Sequence, residues 1–308
     1  MSERTSIKVF APATVSNVGP GFDVLGFPLE NIGEEIILTK RSDQQLVLTC
    51  NGADLPSSPD KNVAAVAIRA LCDAKEYSLG FDIQIDKHFT PGSGLGSSAS
   101  SAVGAVFALN ELMNWGMSRT DLIPYALKGE FVASESAHAD NVAPCMLGGF
   151  VGVTSYAPFD AYQIPFPSDL KIILILPDVI VKTAEARAIL PQELSLAKSI
   201  QQIGAMGGLV TGLATSDYDR IAKSLNDEIA TPFRKQLIPG FEEVQQKAMK
   251  FGALGCNISG SGPAIFTFFR DSQDTSEFYK SIKKSYSERH IDVNFYKSKI
   301  NPRGVELA

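Results

Sequence analysis

The sequence predicts an α+β protein of two domains, and three observations carry that expectation. The chain has 308 residues, enough for two domains of ordinary size. Alternating apolar segments such as Phe81, Ile83 and Ile85 stand beside segments of three- and four-residue spacing such as Ala99, Ala102, Val106, Leu109 and Met113. From residue 170 onward the segments read β-α-β-β-α-β once 192–229 is set aside as a helical insertion, which is the ferredoxin-like order. Residues 157–167 hold three prolines and no clear period, so the boundary is placed there, giving domains 1–160 and 161–308.

Taken in order, residues 6–10 read as a strand, and 11–23 read as an irregular loop because Pro12, Gly19, Pro20 and Gly21 interrupt it. Residues 34–40 and 45–50 look like a pair of strands. Helical spacing over 62–73 sets Val63, Val66, Ala67 and Ala70 on one face, and 81–86 is a strand feeding a glycine-rich stretch. Helices follow over 97–115 and 119–137, then a last strand of the first domain at 150–155. The second domain opens with the apolar strand 171–176 and a short helix from Thr183, followed by helical patterns over 194–215, 217–229 and 240–251. Two strands flank the Gly260–Gly262 turn, and a helix over 276–289 precedes a final strand at 291–296.

The stretch that organises the chain is Pro91, Gly92, Ser93, Gly94, Leu95, Gly96, Ser97, Ser98, Ala99, Ser100 and Ser101. Alternate glycines let the backbone turn tightly and approach a ligand closely. The helix that follows offers unpaired N–H groups and the positive end of its dipole, which together form a seat for an anion such as phosphate. A purely structural turn explains the same glycines equally well. No Gly-Lys pair follows, so this is not a P-loop, and a second helix where a strand should come excludes the dinucleotide fingerprint.

Composition narrows the classes. The formal net charge of −6 argues against nucleic acid or an anionic membrane as partner. Four cysteines without a C-x-x-C pair, and three histidines, argue against structural zinc and for free thiols in a reducing cytoplasm. The polar first residues carry no signal-like apolar stretch. No apolar run approaches the roughly 18 residues of a membrane helix.

Residues 91–101 resemble the phosphate-binding loop P-x-x-x-G-L-G-S-S-A of the GHMP small-molecule kinases. Two further stretches, 9–23 (VFAPATVSNVGPGFD) and 257–263 (NISGSGP), match that family in order, and the first is similar to homoserine kinases in particular. The resemblance implies an N-terminal ribosomal-S5-domain-2-like α+β domain and a C-terminal ferredoxin-like domain. It implies ATP and Mg²⁺, with Ser98 and Glu130 as metal ligands, and a cytoplasmic homodimer. It implies L-homoserine as acceptor in threonine biosynthesis, held among Thr14, Asn17, Asp23, His138, Asn141, Arg187 and Arg234, with Asn62 near the nucleotide. By their chemistry Asp23 suits an α-ammonium, and the forked donors of Arg187 and Arg234 suit an α-carboxylate. Each also has an ordinary reading: Asn62 as a helix cap, Glu130 as a solvated acid, His138 as a structural histidine, the arginines as surface side chains.

Mevalonate-type members place an aspartate where this chain has Asn141, and an amide is no base. Asp140 is expected to point elsewhere. The sequence therefore predicts phosphoryl transfer without a dedicated carboxylate base, involving Asn141, Ser98 and Glu130. The alternatives are a kinase of the same family acting on a mevalonate- or sugar-like alcohol, and a catalytically silent sensor on the same fold.

Overall fold

In the structure, a computed structural model, residues 4–78, 80–134 and 139–308 are described. One long hairpin organises the first half. Strands β1 (Ser6–Val18) and β2 (Gly21–Lys40) pair antiparallel from Ser6 opposite Thr39 to Val18 opposite Gly21. Residues 11–23, expected as a loop, are thus strand on both sides of the Gly19-Pro20 turn. The prolines and glycines act more locally than expected: the register shifts between Pro12 and Thr14 and between Ser16 and Val18. Asn17 and Asp23 adopt left-handed backbone, φ 58° and 56°, on either side of the turn.

Strand β3 (Leu46–Asn51) leads through helix α1 (Val63–Ala74) to β4 (Phe81–Lys87), which it pairs with in parallel. It is β4 that lies beside β2, so the expected pairing of 34–40 with 45–50 does not occur. The burial patterns explain the order. Along β4 fully buried residues alternate with half-buried ones, whereas β3 alternates half-buried with exposed, as an edge strand does. Helices α2 (Ser97–Met113), α3 (Arg119–Ser134) and α4 (Ala139–Leu147) follow. Strand β5 (Phe150–Tyr156) pairs with β2 and with β6 (Phe159–Ile164), so part of the prolyl stretch read as a boundary is an edge strand.

The second sheet begins with β7 (Leu170–Pro177), buried along its whole length. Helices α5 (Thr183–Ala188), α6 (Leu196–Thr215), α7 (Tyr218–Ser224), α8 (Thr231–Arg234) and α9 (Phe241–Lys250) precede β8 (Gly255–Ile258) and β9 (Ile265–Arg270). Helix α10 (Ser276–Ser287) and β10 (Val293–Ser298) complete it. The order β10-β7-β9-β8, antiparallel at every step, is the ferredoxin-like arrangement that the sequence predicts. The chain then returns: β11 (Glu306–Leu307) pairs with β1, and Arg119 holds this return by donating to the carbonyls of Met146, Arg303 and Val305.

The two sheets share a core. Phe27 of β2 lies 5.5 Å from Phe150, 6.1 Å from Phe266 and 5.5 Å from Phe268, ring centre to ring centre. Burying rings of this size against one another dominates local packing energy and fixes how the halves meet. Helix α4 approaches β2 at Gly26 because no side chain stands there: a Cβ on Gly26 would lie 2.0 Å from the carbonyl oxygen of Asp140. Gly26→Ala is therefore expected to destabilise the protein by about 2–3 kcal/mol, read from the urea midpoint. An unchanged midpoint would show that α4 moves away freely.

Candidate active site

The glycine stretch folds as a left-handed staircase into α2. Gly92, Gly94 and Gly96 have φ of 76°, 81° and 65°. Gly96 is the N-cap and no side chain caps the helix, so the first-turn N–H groups are kept for a ligand. A Cβ at Gly96 would lie 2.0 Å from Thr14 Oγ1, and one at Gly94 would lie 2.5 Å from the carbonyl oxygen of Ser259. The loop is also clamped by hydrogen bonds: Ser259 Oγ donates to Gly94 O at 2.6 Å, Ala264 N to Ser93 O at 3.0 Å, and Thr14 N to Leu95 O at 3.0 Å.

Under the first turn of α2 lies a buried ion pair. Glu34 and Lys87 are register partners on β2 and β4. Lys87 Nζ pairs with Glu34 and donates to Ser97 O at 3.0 Å, Ser97 Oγ at 2.7 Å and Ser101 Oγ at 2.8 Å. Burial raises the Glu34 carboxyl, against the pull of Lys87. Removing one partner of such a pair costs about 3–5 kcal/mol because the other charge is stranded. The pair was not singled out from the sequence, yet alternation marks it: Lys87 continues Phe81, Ile83, Ile85, and Glu34 begins Glu34, Ile36, Leu38, so both sit at core-facing positions.

Beside the loop, Ser98 Oγ donates to Glu130 Oε1 at 3.0 Å. Glu130 is buried, and desolvation lifts its carboxyl to about 8; Asp140 adds to the rise, while Ser98 and Lys87 oppose it. One hydroxyl and one carboxylate are hard oxygen donors suited to Mg²⁺, which takes few protein ligands. A carboxyl so desolvated is well served by a cation close to it, so these residues fit the metal.

The same cavity also carries charges of both signs. Asn17 Nδ2 donates to Gly260 O at 3.0 Å, and Asn17 Oδ1 accepts from the Asp23 N–H at 2.8 Å, which sets the left-handed turn that presents Asp23. Arg187 Nη1 meets Asp23 Oδ2 at 2.7 Å in a pair that is partly solvated. Arg234 is buried, donating from Nε to Ala186 O at 3.0 Å and from Nη1 to Gly260 O at 2.8 Å. Desolvation lowers it to about 10, so it stays charged at neutral pH. Both guanidinium groups lie over the ring of Phe22, 5.3 Å for Arg187 and 5.2 Å for Arg234, and the electron-rich ring face favours both cations.

Asn141 has both ends of its amide engaged: Oδ1 accepts from Thr14 Oγ1 at 2.7 Å and Nδ2 donates to Ser16 Oγ at 3.0 Å. Asp140 does not point elsewhere, as expected, but lines the same cavity. Both residues belong to the first turn of α4, and at a helix end neighbouring side chains can border one cleft. Asp140 is 1% exposed, its Oδ1 has no hydrogen-bond partner, and desolvation followed by the charge of Asp23 lifts it to about 7.

These groups line one cavity of about 730 Å³. Of the predicted residues, Asn17, Asp23, Asn62, Glu130, Asn141, Arg187 and Arg234 border it, with Pro91, Gly92, Gly94, Gly96, Ser97, Ser98 and Ser101 of the loop. Ser93, Leu95, Ala99 and Ser100 are buried in the packing behind the loop, and Thr14 acts through Asn141. Asn62 caps α1, its Oδ1 accepting from Ala64 N and Ala65 N. His138 lies outside the described residues. Ser16, Phe22, Lys87, Asp140 and Thr183 belong to the site without having been chosen from the sequence.

The raised Asp140 carboxyl has a thermodynamic consequence. Its folded-state pKa of about 7 exceeds the ordinary 3.8. Between those values the folded chain holds a proton that the unfolded chain has released, so Asp140 lowers stability progressively as pH rises from about 4 to about 7. Asp140→Asn removes this penalty. Its stability relative to the unmodified chain is expected to rise by about 2–3 kcal/mol between pH 5 and pH 8, measured by denaturant titration. A difference that does not change with pH would mean that Asp140 titrates normally.

Comparison with known proteins identifies the family. Residues 62–149 match the family described as GHMP kinases N terminal domain, and 197–288 match GHMP kinases C terminal. A homoserine kinase of Chlorobium phaeobacteroides is 41% identical over 90% of this chain and 91% of its own length. One from Chlorobaculum tepidum is 40% identical over 97% of each. The crystal structure of a homoserine kinase from Cytophaga hutchinsonii superposes with a TM-score of 0.96 at 42% identity, covering 100% of this chain and 99% of that one. The chain belongs to the GHMP kinase family and, within it, to the family of the homoserine kinases.

Proposed function

We propose that this protein transfers the γ-phosphoryl group of ATP to the side-chain hydroxyl of L-homoserine, giving ADP and O-phospho-L-homoserine for threonine biosynthesis. One observation carries the choice of acceptor: Asp23, Arg187 and Arg234 line the same cavity as the glycine loop, with both guanidinium groups against the ring of Phe22. A carboxylate beside two guanidinium groups is the complement of an α-amino acid. The Asp23–Arg187 pair is partly solvated, and such pairs contribute only about 0–1 kcal/mol. Exchanging it for an ammonium on Asp23 and a carboxylate on Arg187 and Arg234 is therefore inexpensive.

The loop N–H groups and the start of α2 would hold the ATP phosphates, with residues 1–160 supplying the nucleotide side and 161–308 the two arginines. Ser98 and Glu130 would hold Mg²⁺, which when bound neutralises charge on the transferring phosphoryl group. The acceptor oxygen bonds to the γ-phosphorus as the bond to the β–γ bridging oxygen breaks, and ADP leaves with that electron pair. Asn141 has no proton-accepting group and Asp140 faces Asp23, where two carboxyls suit the ammonium. The hydroxyl proton then passes late to the transferred phosphate, without a dedicated carboxylate base, as a loose transition state permits.

ADP release with Mg-ATP is expected for L-homoserine and not for mevalonate or galactose; turnover of either of those instead would discard the acceptor assignment. Asp140→Asn is expected to raise the homoserine KM by about tenfold or more while kcat falls less. Loss of turnover with unchanged homoserine binding would instead identify Asp140 as the base.

A further inference from the structure

We infer that Gln202 is a positioning residue that sets the spacing between Asp23 and Arg234, and with it the fit of the acceptor. The inference rests on the proposed reading of that end of the cavity. Gln202 lies on α6, far from the reacting groups in sequence, and is 7% exposed. Its amide joins two elements that carry opposite charges of the site. Nε2 donates to Pro20 O at 2.7 Å, in the turn that leads directly to Phe22 and Asp23. Oε1 accepts from the Glu228 N–H at 2.8 Å, in the segment that leads to Arg234.

That segment is held by its own carboxylate. Asp227 accepts from Ile229 N at 2.8 Å, from Ala230 N at 3.2 and 3.1 Å, and from Thr231 N at 2.6 Å, which starts α8 three residues before Arg234. Gln202 Nε2 also reaches Asp227 Oδ1 at 3.5 Å. The turn also packs against the chain just before that segment: a Cβ on Gly19 would lie 3.2 Å from Leu225 Cα, and Leu225 O is itself held by Asn257 Nδ2 of β8 at 2.9 Å. A single buried amide with both ends engaged thus ties the hairpin turn of the first sheet to the arginine-bearing segment of the second. A shift of about 1 Å at such a tie is enough to cost a large factor in a reaction that depends on orientation.

The test is Gln202→Met, which keeps length and apolar packing and loses both hydrogen bonds. The acceptor KM is expected to rise about tenfold with the ATP KM within twofold. Hydrogen exchange at the backbone amides of 228–231 should quicken while α2 amides keep their protection. An unchanged acceptor KM overturns the inference, and so does an equal rise in both KM values with faster exchange throughout. Should Gln202→Met not fold, Asp227→Asn loosens the same tie from its other side and is expected to show the same selective rise. If the unmodified enzyme turns over another alcohol and not L-homoserine, the substrate reading falls, and the KM for that alcohol still decides the role of Gln202.

Discussion

The site depends on two backbone positions that have no room for a Cβ. At Gly94 the space is filled by the carbonyls of Ser259 and Gly262, and at Gly96 by the side chains of Thr14 and Asn141. The first contact presses the 259–263 turn of the second sheet onto the phosphate loop. The second presses the long hairpin and α4 onto the same loop from the other side. Because both glycines hold left-handed φ, the loop N–H groups can face the cavity while the loop's back is fully packed. Nucleotide and acceptor ends are therefore registered to each other by steric contact, and a kinase that aligns two substrates needs such a fixed distance.

Electrostatics divide along the same line. Below the loop, charge is paired and buried: Lys87 is saturated by Glu34 and the serines of α2, which makes the phosphate seat rigid. At the acceptor end, charge is left strained or exchangeable. Asp140 is a buried carboxyl lifted toward neutrality, Arg234 is a buried cation with only carbonyl acceptors among its described hydrogen bonds, and Asp23 and Arg187 are paired near solvent. On the proposed reading, a ligand of opposite charge would stabilise each of these, so that stability surrendered in the free protein would reappear as binding energy.

Much of this was legible because it is local. Three- and four-residue spacing located α2, the apolar run located β7, and the segment order foretold the ferredoxin-like sheet. The glycine loop was readable because its chemistry lies in consecutive residues. What could not be read was adjacency. Alternation tells which face a strand buries but not which strand lies beside it, so β3 was placed next to β2 where β4 belongs. Pro12 and Gly21 suggested a loop because strand breakers look the same whether they end a strand or only bulge it. The expectation that Asp140 points away from Asn141 rests on neighbouring helical residues facing apart, a rule that weakens at a helix end bordering a cleft.

The acceptor end is the least local part of the molecule. The bond from Asn17 to Gly260 spans 243 residues, the Asp23–Arg187 pair 164, and the bond from Thr14 to Asn141 127. Closing such distances is entropically expensive, and it is worth doing only if the shared core around Phe27 forms as well. The phosphate seat has a continuous base in β4, its loop and α2, although distant chain clamps it through Glu34, Ser259 and Thr14. It follows that the two parts of the cavity differ in how they are assembled. The seat has one contiguous segment at its base, whereas acceptor recognition is assembled from segments that meet only when the whole fold forms.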